Sequence, residues 1–223
     1  MMMPARCATG IQLARRASTS RTIILSVQYL IKQYPLDSGA LEIQYIEEFF
    51  GEFPQRKSAP EIIERLRDRE YLILMAEARL PDDPTAIVPV SYKVAHELRR
   101  HERDPKLVDL VGRLQDCIEF DGRRVLYSWL GATRRDWRGQ GHFRALSEQQ
   151  EDWALSMGYD EILVKTKNRY YDMRGTLDTL QFDVIKFEPS AIDHGESKVY
   201  LSKRLKPETR HAHRSKRAVT IAE

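Results

Sequence analysis

Cysteine is almost missing from this sequence: Cys7 and Cys117 are the only two in 223 residues. One of them sits in the opening segment, so the chain is not built on a disulfide framework, and a reducing compartment fits. Long apolar runs are missing too. The longest near-apolar stretch, Thr22 to Ile31, is interrupted by Ser26 and Gln28. A membrane span needs about 20 apolar residues, so no membrane partner is expected. Acidic side chains are absent from residues 1–36, which hold five basic ones, and residues 203–223 carry seven basic groups against two acidic. The remaining body, residues 37–202, has 24 basic and 31 acidic side chains, a net charge of −7 beneath a total of +3. Phosphate recognition needs positive charge on the folded face, so no nucleic-acid partner is expected. The basic run His211 to Arg217 has no Phe, Tyr or Trp for base stacking and reads as a solubilising end.

What is present suits one globular domain with decoration, or two small ones. Hydrophobic residues make up 42% of the chain, with ten Tyr, seven Phe and three Trp, enough for a sizeable core. Residues 1–21 read as a tail, and their Arg- and Ser-bearing, acid-free composition also resembles a mitochondrial transit peptide. The folded domain is expected over 22–206, followed by a basic disordered tail at 207–223. The location expected is cytoplasmic, or mitochondrial if 1–21 is a transit segment.

Within the domain, β-branched Thr22 to Val27 predicts a strand and Leu41 to Phe50 a helix. Ser58-Ala59-Pro60-Glu61 is a capping signal for a second helix, running to about Arg69. Strands are expected at Tyr71–Ala78 and Ile87–Val94, joined by a turn at Pro81-Asp82-Asp83-Pro84. Pro89 implies a bulge or an edge position in the second of them. Residues 97–121 are charged and helical in period, and read as an insertion between strands. Further strands are expected at Arg124–Thr133, Glu161–Thr166, Phe182–Phe187 and Lys198–Ser202, with helices at His142–Met157 and Tyr170–Leu180.

One loop carries chemistry. In Leu130-Gly131-Ala132-Thr133-Arg134-Arg135-Asp136-Trp137-Arg138-Gly139-Gln140-Gly141-His142-Phe143, a strand runs into a glycine turn that opens an amphipathic helix. Glycines let backbone approach a ligand, successive amides form an anion nest, and the helix N-terminus adds partial positive charge. A pyrophosphate is the obvious guest. No Gly-Lys-Ser/Thr follows and the three-glycine spacing is absent, so this is neither a P-loop nor a dinucleotide fingerprint.

The run Arg138-Gly139-Gln140-Gly141 resembles the acyl-CoA pyrophosphate motif of the GNAT acetyltransferases, Arg/Gln-x-x-Gly-x-Gly/Ala. Thr133, five residues before the arginine, stands where that family commonly has Val, and Trp137 where an aromatic precedes the arginine. Glu151-Asp152-Trp153-Ala154, then Gly158-Tyr159-Asp160-Glu161-Ile162, resemble the family's long helix and fifth strand. Lys165-Thr166-Lys167-Asn168, Met173 and Gln181-Phe182 resemble its Asn, fourth helix and Gly-Phe. The likeness is close over about residues 124–187. Three positions depart from it: Phe143 replaces a small loop residue, Gln181 replaces the Gly before Phe182, and Leu177 stands where many members carry a catalytic tyrosine.

The resemblance implies an α/β fold with a mixed, mostly antiparallel sheet of six to seven strands, splayed between the fourth and fifth and flanked by helices. It implies direct transfer from acetyl-CoA to a primary amine of a small molecule or peptide, with no metal and no nucleophilic cysteine. Carried over, Ala132 and Thr133 bind pantetheine and polarise the carbonyl. Arg138, Gly139, Gln140, Gly141, His142 and Phe143 hold the pyrophosphate, and Asn168 contacts the pantetheine end. Tyr171 is the candidate general acid in place of Leu177. The general base stays open among Glu97, Glu47, Glu48, Tyr127, His96, His142 and an ordered water, since Val125 to Thr133 contains no carboxylate. A catalytically impaired CoA-binding module is the alternative. The 97–121 insertion is expected to shape either the acceptor pocket or a homodimer contact.

Overall fold

In the computed structural model the described residues are 29–36, 40–49, 57–80, 82–83 and 85–205. The expected tails at 1–21 and 207–223, and the strand expected at 22–27, lie outside them. A seven-stranded sheet forms the centre, in the order β1-β2-β3-β4-β5-β7-β6. Its strands are β1 Tyr29–Gln33, β2 Tyr71–Arg79, β3 Ile87–Leu98, β4 Val125–Thr133, β5 Glu161–Lys167, β6 Asp183–Glu188 and β7 Lys198–Arg204. Every neighbouring pair is antiparallel except β4 and β5, which are parallel.

The helices are α1 Ala40–Phe49, α2 Ala59–Leu66, α3 Pro105–Leu114, α4 His142–Ser156 and α5 Tyr171–Thr179. At the start of α2 the Ser58 side chain accepts from Glu61 N while the Glu61 carboxylate accepts from Ser58 N, the reciprocal cap foreseen from the sequence. The two faces of β2 show how the sheet is covered. Leu72, Leu74 and Ala76 pack with Leu146 and Ala154 of α4, whereas Ile73 and Met75 pack with Ile43 of α1 and Ile62 of α2. Strand alternation delivers one set to each layer.

One departure from expectation follows from packing. Residues 97 and 98 belong to β3 rather than to the insertion: the strand continues past Val94 because His96, Glu97 and Leu98 find partners in Tyr127, Leu126 and Val125. The helical part of the insertion is therefore α3 alone. It is capped by Asp104, whose carboxylate accepts from Lys106 N and Leu107 N, and Pro105 fits its first turn. The irregularity expected at Pro89 is a bulge. Glu77 faces Pro89 while Ala76 faces Ser91, leaving Val90 as the extra residue.

Candidate active site

The site begins where β4 and β5 part. Their pairing ends at Ser128 opposite Val164, yet β4 runs on to Thr133 and β5 to Lys167. A second bulge lies at the same level: Ala95 faces Ser128 and Val94 faces Leu130, which leaves Trp129 as the extra residue. The β5-side backbone edge of β4 beyond Ser128 thus has no strand partner, and the two strands splay around an opening.

Beyond β4 the chain makes a single 3-10 turn, Arg135–Trp137, pinned into the core by Trp137, which is 4% exposed. Arg138 Nε donates to Thr133 O at 3.1 Å and folds the loop back on the strand end. Gly139 and Gly141 have φ of +77° and +84°, values that side chains disfavour, and no atom lies within 4 Å of where a Cβ would stand on either. Gly141 caps α4 with no side-chain hydrogen bond. The first amides of α4, from His142 onward, have no partner within their own helix. A positive-φ glycine pair, an open space before it and a helix N-terminus behind it fit a pyrophosphate group.

His142 is 1% exposed, stacked edge-on against Tyr29 at 4.3 Å and tilted on Trp137 at 5.9 Å, and neither ring nitrogen has a hydrogen-bond partner. Burial lowers its pKa, so the ring stays neutral. Its ring packs beneath the loop, against Tyr29 and Trp137. Phe143 turns inward as well, its ring beside Gly131 and 4.5 Å beneath Lys93 Nζ. Ala132 and Thr133 are tied to β3: Ser91 Oγ donates to Ala132 O at 2.8 Å and is 2.8 Å from Thr133 Oγ1. Asn168 is buried, with Nδ2 donating to His194 O at 3.3 Å and Oδ1 accepting from Arg174. Tyr171 opens α5 as a 64% exposed residue, and Leu177 lies fully buried in the core.

The base candidates separate on geometry. Glu97 is ion-paired to Arg99 at 2.7 Å, Glu47 accepts from Ala59 N at 2.7 Å, and Glu48 is exposed on α1. Tyr127 is pushed up to about 12 by burial. His96, fully buried beside Tyr127 and Trp129, is pushed down to about 3, first by burial and then by the Arg69 and Arg65 charges. Neither ring accepts a proton readily at neutral pH.

Two lysines lie near the splay without a role implied by the sequence. Lys93 of β3 is opposite Gly131 of β4 and 3% exposed. Its Nζ donates to Ser147 Oγ at 2.7 Å, and burial lowers its pKa to about 7 despite the Glu151 charge. A charged residue inside the apolar run Val88 to Val94 was the available signal. Lys165 of β5 lies on the other side of the sheet, immediately beyond the last β4–β5 pair.

Solved structures share this fold. Arabidopsis thaliana NAA60 in complex with acetyl-CoA superposes with a TM-score of 0.61 at 10% identity, over 80% of this chain and 99% of that one. The NatC complex bound to Gag peptide and CoA gives 0.59 at 14% identity, over 80% and 99%. The ribosomal-protein-S18-alanine N-acetyltransferase from Escherichia coli gives 0.55 at 12% identity, over 80% and 95%. No family model matches the chain, and no curated protein matches it in sequence. The chain has the GNAT acetyltransferase fold, with the splayed β4–β5 pair at its centre.

Proposed function

We propose that the protein is an acetyl-CoA-dependent N-acetyltransferase that transfers the acetyl group directly to a primary amine of a small molecule or peptide. The observation that carries this reading is the glycine cradle at Gly139 and Gly141 standing at the end of β4, whose β5-side edge is unpaired beyond Ser128. NAA60 and NatC, which share the fold, are described bound to acetyl-CoA and to CoA.

Acetyl-CoA supplies an activated thioester. The backbone amides from Gly139 to Phe143, with Arg138, hold its pyrophosphate by hydrogen bonds and by the positive end of α4. The open edge of β4 at Ala132 and Thr133 orients the pantetheine arm, and Asn168 bounds its far end. Holding amine and thioester together removes much of the entropic barrier. The amine nitrogen bonds to the carbonyl carbon, the carbon–sulfur bond breaks, the nitrogen loses a proton and the sulfur gains one. Tyr171 at the start of α5 gives the sulfur its proton. Water in the splay takes the proton from nitrogen, because His96 and Tyr127 are tuned away from that task.

Calorimetry with acetyl-CoA, followed by thiol release over a panel of amines and N-terminal peptides, tests the reading. Binding with release supports it. Binding without release favours the second reading, a CoA-binding module without turnover, which the buried Leu177 motivates. Absence of acetyl-CoA binding removes both.

A further inference from the structure

Lys165 is the first residue of β5 beyond its last pairing with β4, at Val164. Its side chain lies on the face opposite α4, 5.9 Å over the ring of Tyr200, which β7 presents directly across from it. That face is crossed by the inserted helix α3. Leu107, Leu110 and Leu114 pack there against Val125, Tyr127, Leu163 and Tyr200. The helix is tied down at both ends: Asp104 pairs with Arg65 of α2 at 2.8 Å, and Arg113 makes two bonds to Glu188 of β6, at 3.1 and 3.0 Å. Lys186 Nζ also donates to Arg113 O. The insertion is thereby a floor beneath the splay, on the side away from the glycine cradle.

The charges on this floor are unequal. Glu188 accepts from Arg113, from Lys198 Nζ at 3.4 Å and from Tyr200 Oη at 3.2 Å. Asp109 is taken by Arg113 Nε at 2.8 Å. Arg113, Lys198 and Lys165 thus face two carboxylates, both already engaged by other groups. Next along β5, Lys167 has its own partner in Glu196 at 2.6 Å. Among the described residues no carboxylate lies within ion-pair distance of Lys165. It is half-buried, and its pKa is lowered first by burial and then by the Lys198 and Arg113 charges, with Asp109 and Glu188 pulling the other way from beyond ion-pair distance. A partly desolvated ammonium without a direct ion-pair partner is unfavourable, and an anion seated against it offsets both the desolvation and the repulsion.

We infer that Lys165 is an anion-binding residue of the acceptor site, and that the acceptor carries a carboxylate near the amine to be acetylated, as a free amino acid or an acidic peptide does. The inference rests on the proposed activity for its coupling to transfer. Lys165 seats the carboxylate on the α3 side of the splay, leaving the amine to reach the thioester from the open edge of β4. The site is a specificity device and adds no chemical step.

The test compares matched acceptors on the full chain: phenylalanine, its amide and phenethylamine, with peptides bearing Asp or Glu against Asn or Gln next to the first residue. Thiol release is expected to favour the carboxylate by at least tenfold in kcat/KM. The phenylalanine and peptide arms separate an amino-acid acceptor from an acidic peptide. Lys165→Met is expected to abolish the preference while leaving acetyl-CoA affinity unchanged, and Lys165→Glu to turn it toward phenethylamine. Equal rates for carboxylate and amide, or an unchanged preference in Lys165→Met, overturn the inference and leave the acetyltransferase reading intact. If no amine of the panel is turned over, calorimetry of the CoA-loaded protein with N-acetylphenylalanine and its amide carries the test. Binding that requires both the carboxylate and Lys165 upholds the site, and binding of neither, or of both alike, overturns it. Loss of acetyl-CoA binding in the wild type overturns the activity instead; N-acetylphenylalanine and its amide, titrated without CoA, then decide the anion site alone.

Discussion

Arg65 lies 4.8 Å over the ring of Trp129, the bulged residue at the mouth of the splay, while its Nη2 donates to Asp104 at 2.8 Å. One side chain of α2 thus holds both the bulge of β4 and the N-terminal cap of the inserted helix. The insertion is fastened to the site it borders.

Separating the cap from the ion pair is then direct. Asp104→Ala removes both and is expected to cost about 1–2 kcal/mol in urea unfolding. Asp104→Asn keeps a capping side chain and loses the charge, and is expected to recover most of that loss. An Asn variant as unstable as the Ala variant means the pair with Arg65, not the cap, carries the energy.

The cradle is tested at Gly141. A valine there faces strain at φ +84° and projects a side chain into the open space before α4. Gly141→Val is expected to weaken acetyl-CoA binding by more than about 100-fold, with unfolding midpoint shifted by only the roughly 1–2 kcal/mol of a left-handed β-branched residue. Calorimetry and circular dichroism read the two effects apart; undiminished affinity removes the phosphate assignment.

Gln181 is the one non-glycine residue with positive φ among the described residues, at 65°. It stands in the turn after α5, where Phe182 N donates back to Leu177 O at 2.9 Å. The turn keeps the shape a glycine would favour and bears a side chain in it. Gln181→Gly is therefore expected to stabilise the fold by up to about 1 kcal/mol, less the chain-entropy cost of glycine. Chemical denaturation measures it, and a destabilised variant means the Gln181 side chain contributes more than the strain costs.

Lys93 predicts a pH dependence. Its folded pKa, about 7, lies below the ordinary lysine value of 10.5. Between those two values the unfolded chain binds the extra proton, so this group makes stability rise with pH there. Below about pH 7 the buried ammonium opposes folding in full. Lys93→Met is expected to exceed the wild type in stability most at pH 6 and to lose that margin toward pH 10. Denaturation at three pH values checks it, and a pH-independent margin shows that Lys93 keeps its ordinary acidity.

For turnover, Tyr171→Phe is expected to lower kcat by about 100-fold with acetyl-CoA affinity unchanged, if the phenol protonates the leaving sulfur. Single-turnover thiol release with calorimetry separates the two. Full kcat in the variant leaves the proton to come from solvent, consistent with the 64% exposure of that residue.

Local chemistry made much of this molecule readable in its sequence. Ser58 and Glu61 spell a cap, Gly139 and Gly141 spell a turn that only glycine enters easily, and the period of Leu107, Leu110, Val111 and Leu114 spells an amphipathic helix. Each of these depends on neighbours within a few positions, so the order of letters suffices. The pairing of distant segments does not announce itself that way. β3 extends to Leu98 because Val125 lies across from it, and β7 enters between β5 and β6 although β6 precedes it in the chain. Lys165 looks like any alternating strand residue. It is left without a direct ion pair among the described residues because α3, β6 and β7 converge on one face and their acids and bases engage one another first. The acidic total of the body concealed this as well, since charge acts over a Debye length of about 8 Å and not over a sequence. The cap, the glycine turn and the amphipathic periods are local and stand in the order of residues; which strands pair, and so which charges meet at the splay, follows from contacts between distant segments.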